Sequence, residues 1–198
     1  MKEDFAACRD FFDGKAAQWD AFSEHDAAII EAILTVGGDW QGQRVLDLAC
    51  GTGVLFPFLR ARQPAYLRAI DLSPAMIAQA KRKYAPSPDF RIDAMNFYDL
   101  EEGGFDRIVV YNAYPHFLNK AAFAGQVQRC LRPGGRLLIA HGAGRNQING
   151  CHADGKTSVI SAGLQGCAQE QQRLGQGFCW DTAVDNPYLY ILSGTYTP

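Results

Sequence analysis

The chain has 198 residues, 47% of them hydrophobic and 20% charged, with a net charge of −2. This balance excludes a disordered tail, a collagen-like fibre and a membrane span. It also lacks the basic excess of a general nucleic-acid binder, and the length suits one domain that folds on its own core.

Residues 1–40 read as a helical cap. Phe5, Phe11, Phe12, Trp19 and Phe22 cluster there, and Ala28, Ile29, Ala32, Ile33 and Val36 repeat at helical spacing. Gly37-Gly38 stops that helix. Of these aromatics, Phe11, Phe12, Trp19 and Phe22 are expected to serve as core more than as a lid.

From Arg44 the period changes. Residues 44–48 are a short apolar strand, and 49–53 form a small-residue turn. Residues 54–61 read as a helix and 66–71 as a second strand. Ser73-Pro74 has the form of an N-cap followed by proline at the first helical position. Met76, Ile77, Ala80 and Tyr84 give that helix its apolar face. Strands are expected at 90–92, 105–111 and 136–140, with a helix at 121–131 ended by Arg132-Pro133-Gly134-Gly135.

Residues 142–152 are polar and glycine-rich. A helix is expected over 157–174, and strands over 177–184 and 188–195. That last pair is expected to close one sheet edge in antiparallel fashion. Alternating strands and helices imply parallel strands with crossover helices. The expected fold is therefore a doubly wound, mostly parallel seven-stranded α/β sheet. Residues 1–198 make one domain, with 1–40 as cap and 41–198 as core.

Ligands of such sheets bind beyond the carboxyl ends of the strands, at the topological switch point. Gly51 and Gly53 let the backbone approach a ligand there. A dinucleotide fingerprint needs a third glycine where this chain has Phe56, and a P-loop needs a Gly-Lys-Ser/Thr ending that is absent. The segment Asp47-Leu48-Ala49-Cys50-Gly51-Thr52-Gly53 instead resembles the first motif of the class I S-adenosylmethionine-dependent methyltransferases. Ala49 stands where many members carry glycine. Asp71 in Ile70-Asp71-Leu72-Ser73-Pro74, Asp93-Ala94-Met95, the strand ending Tyr111-Asn112, and the turn Arg132-Pro133-Gly134-Gly135 resemble later motifs of that family, in order. The resemblance covers residues 44–140.

The resemblance implies a Rossmann-like core and S-adenosylmethionine as cofactor, leaving as S-adenosylhomocysteine. It also implies roles. Asp47 acts on the methionine ammonium, directly or through water. Ala49, Cys50, Gly51 and Gly53 form the turn around the methionine and ribose, with Cys50 as a small buried residue. Asp71 holds the ribose hydroxyls. Leu72 and Met76 sandwich the adenine, and Asp93 and Ala94 meet its edge. Asn112 lies beside the sulfonium. Structural readings stand beside these. Asp47 could cap turn amides, Asp71 could cap the next helix, Asp93 could be a turn aspartate, and Met76 could be core.

The fourth strand is followed by Asn112-Ala113-Tyr114-Pro115-His116. This is neither the Asn/Asp-Pro-Pro-Tyr/Phe pattern of amino methylation on bases nor a Pro-Cys nucleophile. Together with the charge, it argues against DNA. His116, His141 and His152 are expected near the same strand ends. His116 and His141 are candidate bases, and their spacing matches no standard zinc motif. Tyr114, Arg145, Asn149 and His152 are candidate substrate contacts, Arg145 through a carboxylate or phosphate. No metal is expected.

The six cysteines show no CxxC pair, and the first residues have no apolar signal core. Reduced thiols in a cytoplasmic protein are expected. The reading is a cytoplasmic methyltransferase for a small-molecule acceptor, without DNA or membrane partners. The alternatives are an RNA or protein methyltransferase, or a non-catalytic module that binds the cofactor.

Overall fold

The computed structural model describes residues 5–23, 25–151 and 159–198. Seven strands make one sheet: β1 (Arg44–Leu48), β2 (Tyr66–Asp71), β3 (Phe90–Ala94), β4 (Phe105–Tyr111), β5 (Leu131–His141), β6 (Phe178–Asp185) and β7 (Tyr190–Tyr196). Their order is β3-β2-β1-β4-β5-β7-β6. The first five run parallel, and β7 is antiparallel to both β5 and β6. The chain reverses its direction of travel across the sheet between β1 and β4, so a crevice opens above their carboxyl ends.

The helices are α1 (Ala6–Lys15), α2 (Trp19–Phe22), α3 (Ala27–Val36), α4 (Phe56–Ala61), α5 (Pro74–Lys83), α6 (Lys120–Cys130), α7 (Arg145–Cys151) and α8 (Cys167–Leu174). They cover both faces. Val45, Leu67, Ala69 and Val109 pack one way, against residues of α3, α4 and α5. Leu46, Leu48, Ile108 and Val110 pack the other way, against residues of α6 and α8. Burial on both sides explains why these strands are nearly continuous apolar runs.

Several boundaries move from the sequence expectation. In α3 the buried face is Ile30, Ile33 and Leu34, whereas Ala28, Ala32 and Val36 are exposed. The buried stripe is rotated from the expected one, because the bulkier residues take the core. Helix α4 starts at Phe56, since successive turns occupy residues 50–56. β5 begins at Leu131, and the Pro133-Gly134-Gly135 segment lies within it as an irregularity opposite β4. Residues 145–151 form α7, which the polar composition did not announce. Gly144 precedes it, and a Cβ there would lie 2.4 Å from the Pro187 carbonyl oxygen. Only glycine lets α7 start so close to the β6–β7 turn. Of the expected helix over 157–174, residues 157 and 158 lie outside the described residues, and among the rest only α8 is helical. Gly166 stands before it with extended backbone.

One buried polar cluster fixes the exit from β4. Tyr114 is fully buried, and its hydroxyl donates to Glu170 Oε2 at 2.9 Å. The Lys120 ammonium donates to the Tyr114 carbonyl at 2.8 Å and sits 3.6 Å from the centre of its ring. Glu170 Oε1 accepts from Gln165 N–H and from Arg173. Tyr114→Phe leaves a buried carboxylate oxygen without its donor. It should cost about 1–3 kcal/mol of stability, read from denaturant unfolding. An unchanged midpoint would contradict this role.

Candidate active site

The crevice holds a cavity of about 250 Å³. Its floor is the turn after β1. Ala49 has φ +59°, Gly51 +55° and Gly53 +90°. A left-handed alanine is strained, and such strain gathers at functional sites. A Cβ on Gly51 would meet nothing within 4 Å, whereas one on Gly53 would lie 2.5 Å from the Phe56 ring. Gly51 therefore faces open space, and Gly53 is needed for the packing of α4.

Asp71 ties this floor to the next loop. Its Oδ2 accepts from Gly51 N–H and its Oδ1 from Ser73 N–H, each at 2.8 Å. Each oxygen keeps one further lone pair. Burial lifts this carboxyl to about 6, although the two amide bonds pull it down and Asp13 adds to the lift. Asp47 lies behind the turn, fully buried, with no hydrogen-bond partner for Oδ2. Burial first and the Asp71 charge second raise it to about 8. Cys50 is buried, and burial holds its thiol protonated.

The N-terminal helices form the roof. Asp13 bonds the Ser73 hydroxyl and accepts from Ala75 N–H at 3.1 Å, at the N-terminus of α5. Asp20 accepts from the Thr52 hydroxyl at 2.5 Å and from the Lys83 ammonium at 2.7 Å. These contacts bring Phe5, Cys8, Phe12, Trp19 and His25 onto the cavity wall. Burial and Asp71 raise the Cys8 thiol to about 11. α1 contributes no buried residue, and Phe22 is 75% exposed. Phe12 and Trp19 are therefore roof residues, and the core expectation for this group is corrected.

The far wall is the end of β4 and the loop after it. Asn112 has φ +53°, and its Oδ1 accepts from Gly142 N–H at 3.0 Å. The Tyr111 hydroxyl lies 3.5 Å from His25 Nδ1. His116 Nδ1 is 3.0 Å from the Ile160 carbonyl oxygen. A carbonyl only accepts, so Nδ1 carries a proton toward it. Ala162 N–H bonds the Pro115 carbonyl at 2.8 Å, which holds the same segment against His116. The His116 ring meets Phe12 edge-on, with centres 5.0 Å apart.

Of the residues singled out in the sequence, Ala49, Cys50, Gly51, Asp71, Leu72, Met76, Asn112 and His116 line the cavity. Others do not. Asp93 turns to the buried Arg68 guanidinium, with Lys81 at 3.8 Å and Arg91 at 3.9 Å. A buried guanidinium needs a carboxylate, and this one is committed to it. Ala94 pairs in register with Asp71 and stays in the strand. The wall beyond β3 is instead Met95, Asn96, Phe97 and Tyr98. An Asn N-cap before two aromatics was the available signal.

His141 pairs in register with Tyr190 of β7, and their rings meet at 6.1 Å. It is buried in the sheet and does not reach the cavity. Tyr114 is held by Glu170, away from the site. Arg145 pairs with Asp185 at 3.0 Å. Asn149 clasps the backbone of Leu164, donating at 3.0 Å and accepting at 2.8 Å. None of these last three faces the cavity, and each is consumed by a structural partner. His152 lies outside the described residues. His25, Thr52, Val54, Tyr111 and Phe117 line the cavity and were not singled out. Among the described residues, no group of three His, Cys, Asp or Glu side chains could hold a metal ion. No described helix is long and apolar enough to cross a membrane.

Residues 45–135 match a family described as a methyltransferase domain. Ubiquinone biosynthesis O-methyltransferase of Xylella fastidiosa (strain 9a5c) is 38% identical over 103 residues, covering 50% of this chain and 42% of that protein. Phthiotriol/phenolphthiotriol dimycocerosates methyltransferase 1 of Mycobacterium ulcerans is 38% identical over 119 residues, covering 57% and 42%. The chain thus spans about two-fifths of the length of these relatives. Among solved structures, the DhpI–SAH complex superposes with TM-score 0.74 at 20% identity, covering 97% of this chain and 96% of that one. Magnesium protoporphyrin IX methyltransferase of Synechocystis PCC 6803 with bound SAH gives 0.70 at 17%, covering 98% and 100%. These two share the fold.

The raised Asp47 carboxyl makes stability depend on pH. A folded-state value near 8, against 3.8 without the fold, means that folding favours the protonated form. This contribution is complete below 3.8 and is lost as pH rises through 8. Asp47→Asn should therefore stabilise the ligand-free protein by on the order of 6 kcal/mol above pH 8, and by almost nothing near pH 4. Unfolding midpoints of both proteins across that range check it. An equal or lower midpoint for the variant at high pH would contradict the assignment.

Proposed function

We propose that this chain, a member of the class I S-adenosylmethionine-dependent methyltransferase family, transfers a methyl group from that cofactor to a small-molecule acceptor. The observation that carries the reading is the left-handed turn at Ala49 and Gly51, pinned to Asp71 in a cavity that Asn112 and His116 also line. The residues present suit the cofactor. Asp71 has a spare lone pair on each oxygen for a ribose diol. Leu72 and Met76 offer apolar surface to the adenine, and residues 95–98 its edge. Asp47, buried without a partner for Oδ2 and held protonated by burial, would ionise on pairing with an ammonium.

The bound cofactor supplies an activated methyl group on a sulfonium. Such a group needs alignment more than activation, so a snug enclosure does much of the chemistry. Asn112, fixed to Gly142, keeps the end of β4 in one place. His116, on the wall beside Asn112, is the candidate base for an acceptor whose proton must leave. Phe12 and Trp19 close the roof and exclude water. A cavity of about 250 Å³ is below the roughly 300–1,000 Å³ usual for a site enclosing one drug-sized ligand. The roof must therefore move outward to admit cofactor and acceptor together.

A small acceptor is favoured over RNA or protein because the roof narrows the cavity and no Lys or Arg lines it among the described residues. The relatives' names point to small molecules too. A cytoplasmic enzyme without DNA or membrane partners fits this reading.

The test is release of S-adenosylhomocysteine from S-adenosylmethionine across a panel of small hydroxylated acceptors. His116→Gln should lower kcat by about 10²–10⁴-fold and leave cofactor affinity unchanged. Cofactor binding without turnover on any acceptor would favour the non-catalytic module instead.

A further inference from the structure

The wall beyond β3 decides which base the cofactor carries. Resting on the reading above, we infer that Asn96 reads that base, donating from its side-chain amide to the ring nitrogen N1 of adenine, and that this donor makes the site select adenine over hypoxanthine. Asp93, the acid that the resemblance placed at this edge, takes no part in it.

The withdrawal of Asp93 comes from β2. That strand carries Arg68 inside the sheet, with its side chain 4% exposed. A guanidinium keeps its charge there and needs a carboxylate beside it. Asp93 Oδ2 meets it directly from the neighbouring strand, and Lys81 and Arg91 stand 3.8 and 3.9 Å from the same carboxylate. To accept from an adenine amino group, Asp93 would have to leave a buried cation behind.

The backbone then passes the task to the next side chain. Met95 N–H bonds the Asp71 carbonyl at 2.8 Å. This fixes the end of β3 beside the carboxylate assigned to the ribose, and it commits that amide. Asn96 follows and lines the cavity. Its Oδ1 accepts from Tyr98 N–H at 3.1 Å and caps the short helical turn at Phe97–Asp99. An amide nitrogen cannot accept that bond, so the oxygen faces Tyr98 and Nδ2 points away from it. What Asn96 offers a ligand is therefore a donor.

The base completes the match. With the ribose on Asp71 and the ring between Leu72 and Met76, adenine turns its far edge to residues 95–98. That edge carries N1, which accepts, and the amino group, which donates. Only N1 can take a hydrogen bond from Nδ2. Hypoxanthine has N1–H at the same place, so two donors would face each other. A site that spends a polar group on one hydrogen bond rejects the analogue that cannot make it.

Asn96→Asp tests this, because aspartate caps such a turn as well as asparagine does and exchanges only the donor for an acceptor. S-adenosylhomocysteine and S-inosylhomocysteine are each titrated calorimetrically into the full chain and into the variant. The unaltered protein should bind the adenosyl compound at least about tenfold more tightly, and the variant should reverse the order. Comparing two ligands within one protein cancels the effect of the added charge on the rest of the cofactor. A further arm needs no variant: the 1-deaza analogue of S-adenosylhomocysteine, with C–H in place of N1, should bind the unaltered protein about tenfold more weakly. Equal binding of the adenosyl and inosyl compounds by the unaltered protein overturns the inference. So does undiminished affinity for the 1-deaza analogue, or a folded variant that keeps the original preference. Failure of the unaltered protein to bind S-adenosylhomocysteine at all would overturn the cofactor reading beneath it.

Discussion

The Asp71 carboxylate accepts one hydrogen bond from Gly51 N–H and another from Ser73 N–H, both at 2.8 Å. The two amides belong to different loops, one after β1 and one after β2. Holding them with one buried anion sets the width of the crevice at the switch point of the sheet. It also explains the backbone above it. Gly51 aims its N–H at Asp71 from a left-handed conformation, and Ala49 adopts the same region two residues earlier. The strain at Ala49 and the weakened acidities of Asp71 and Asp47 are costs offset by the rest of the core. All three would be relieved or used by a ligand with a diol and a positive charge.

The roof depends on the same place. α1 buries no side chain of its own, so packing alone does not hold it. Its fastening is polar: Asp13 sits at the N-terminus of α5 beside Ser73, and Asp20 reaches Thr52 in the turn. Both anchors land on the two loops that Asp71 joins. A ligand that shifts those loops therefore also shifts the roof. Helix α5 gains from the arrangement, since an anion at its N-terminus opposes the helix dipole. The rim pair of Asp20 with Lys83 is exposed and contributes little by comparison.

The strands were legible because burial on both faces leaves a strong mark. The limits of β1, β2 and β4 follow directly from their apolar runs, and Ser73-Pro74 marked the start of α5 to the residue. The turn after β1 and Asp71 were legible because only small residues and one acid suit that geometry. What could not be read was the direction of side chains. Asp93 has a family-like position but faces Arg68, a partner 25 residues earlier in sequence. His141 ends the right strand, yet its register with Tyr190 turns it into the sheet. Tyr114 and Asn149 were claimed by Glu170 and Leu164, contacts that no local pattern announces. The roof residues Phe12 and Trp19 looked like core because aromatic residues usually are core. Their place was set by Asp13 and Asp20, two acids with nothing distinctive around them.

If Asp71 and the turn it pins form a site for an adenosyl cofactor, changing that one side chain should change cofactor affinity. The measurement is a calorimetric titration of the protein and of its Asp71→Asn variant with S-adenosylhomocysteine and with NAD. The expected result is saturable micromolar binding of S-adenosylhomocysteine, weakened by about tenfold or more in the variant, and no binding of NAD. Tight binding of NAD, or equal affinity of both proteins for S-adenosylhomocysteine, would contradict it.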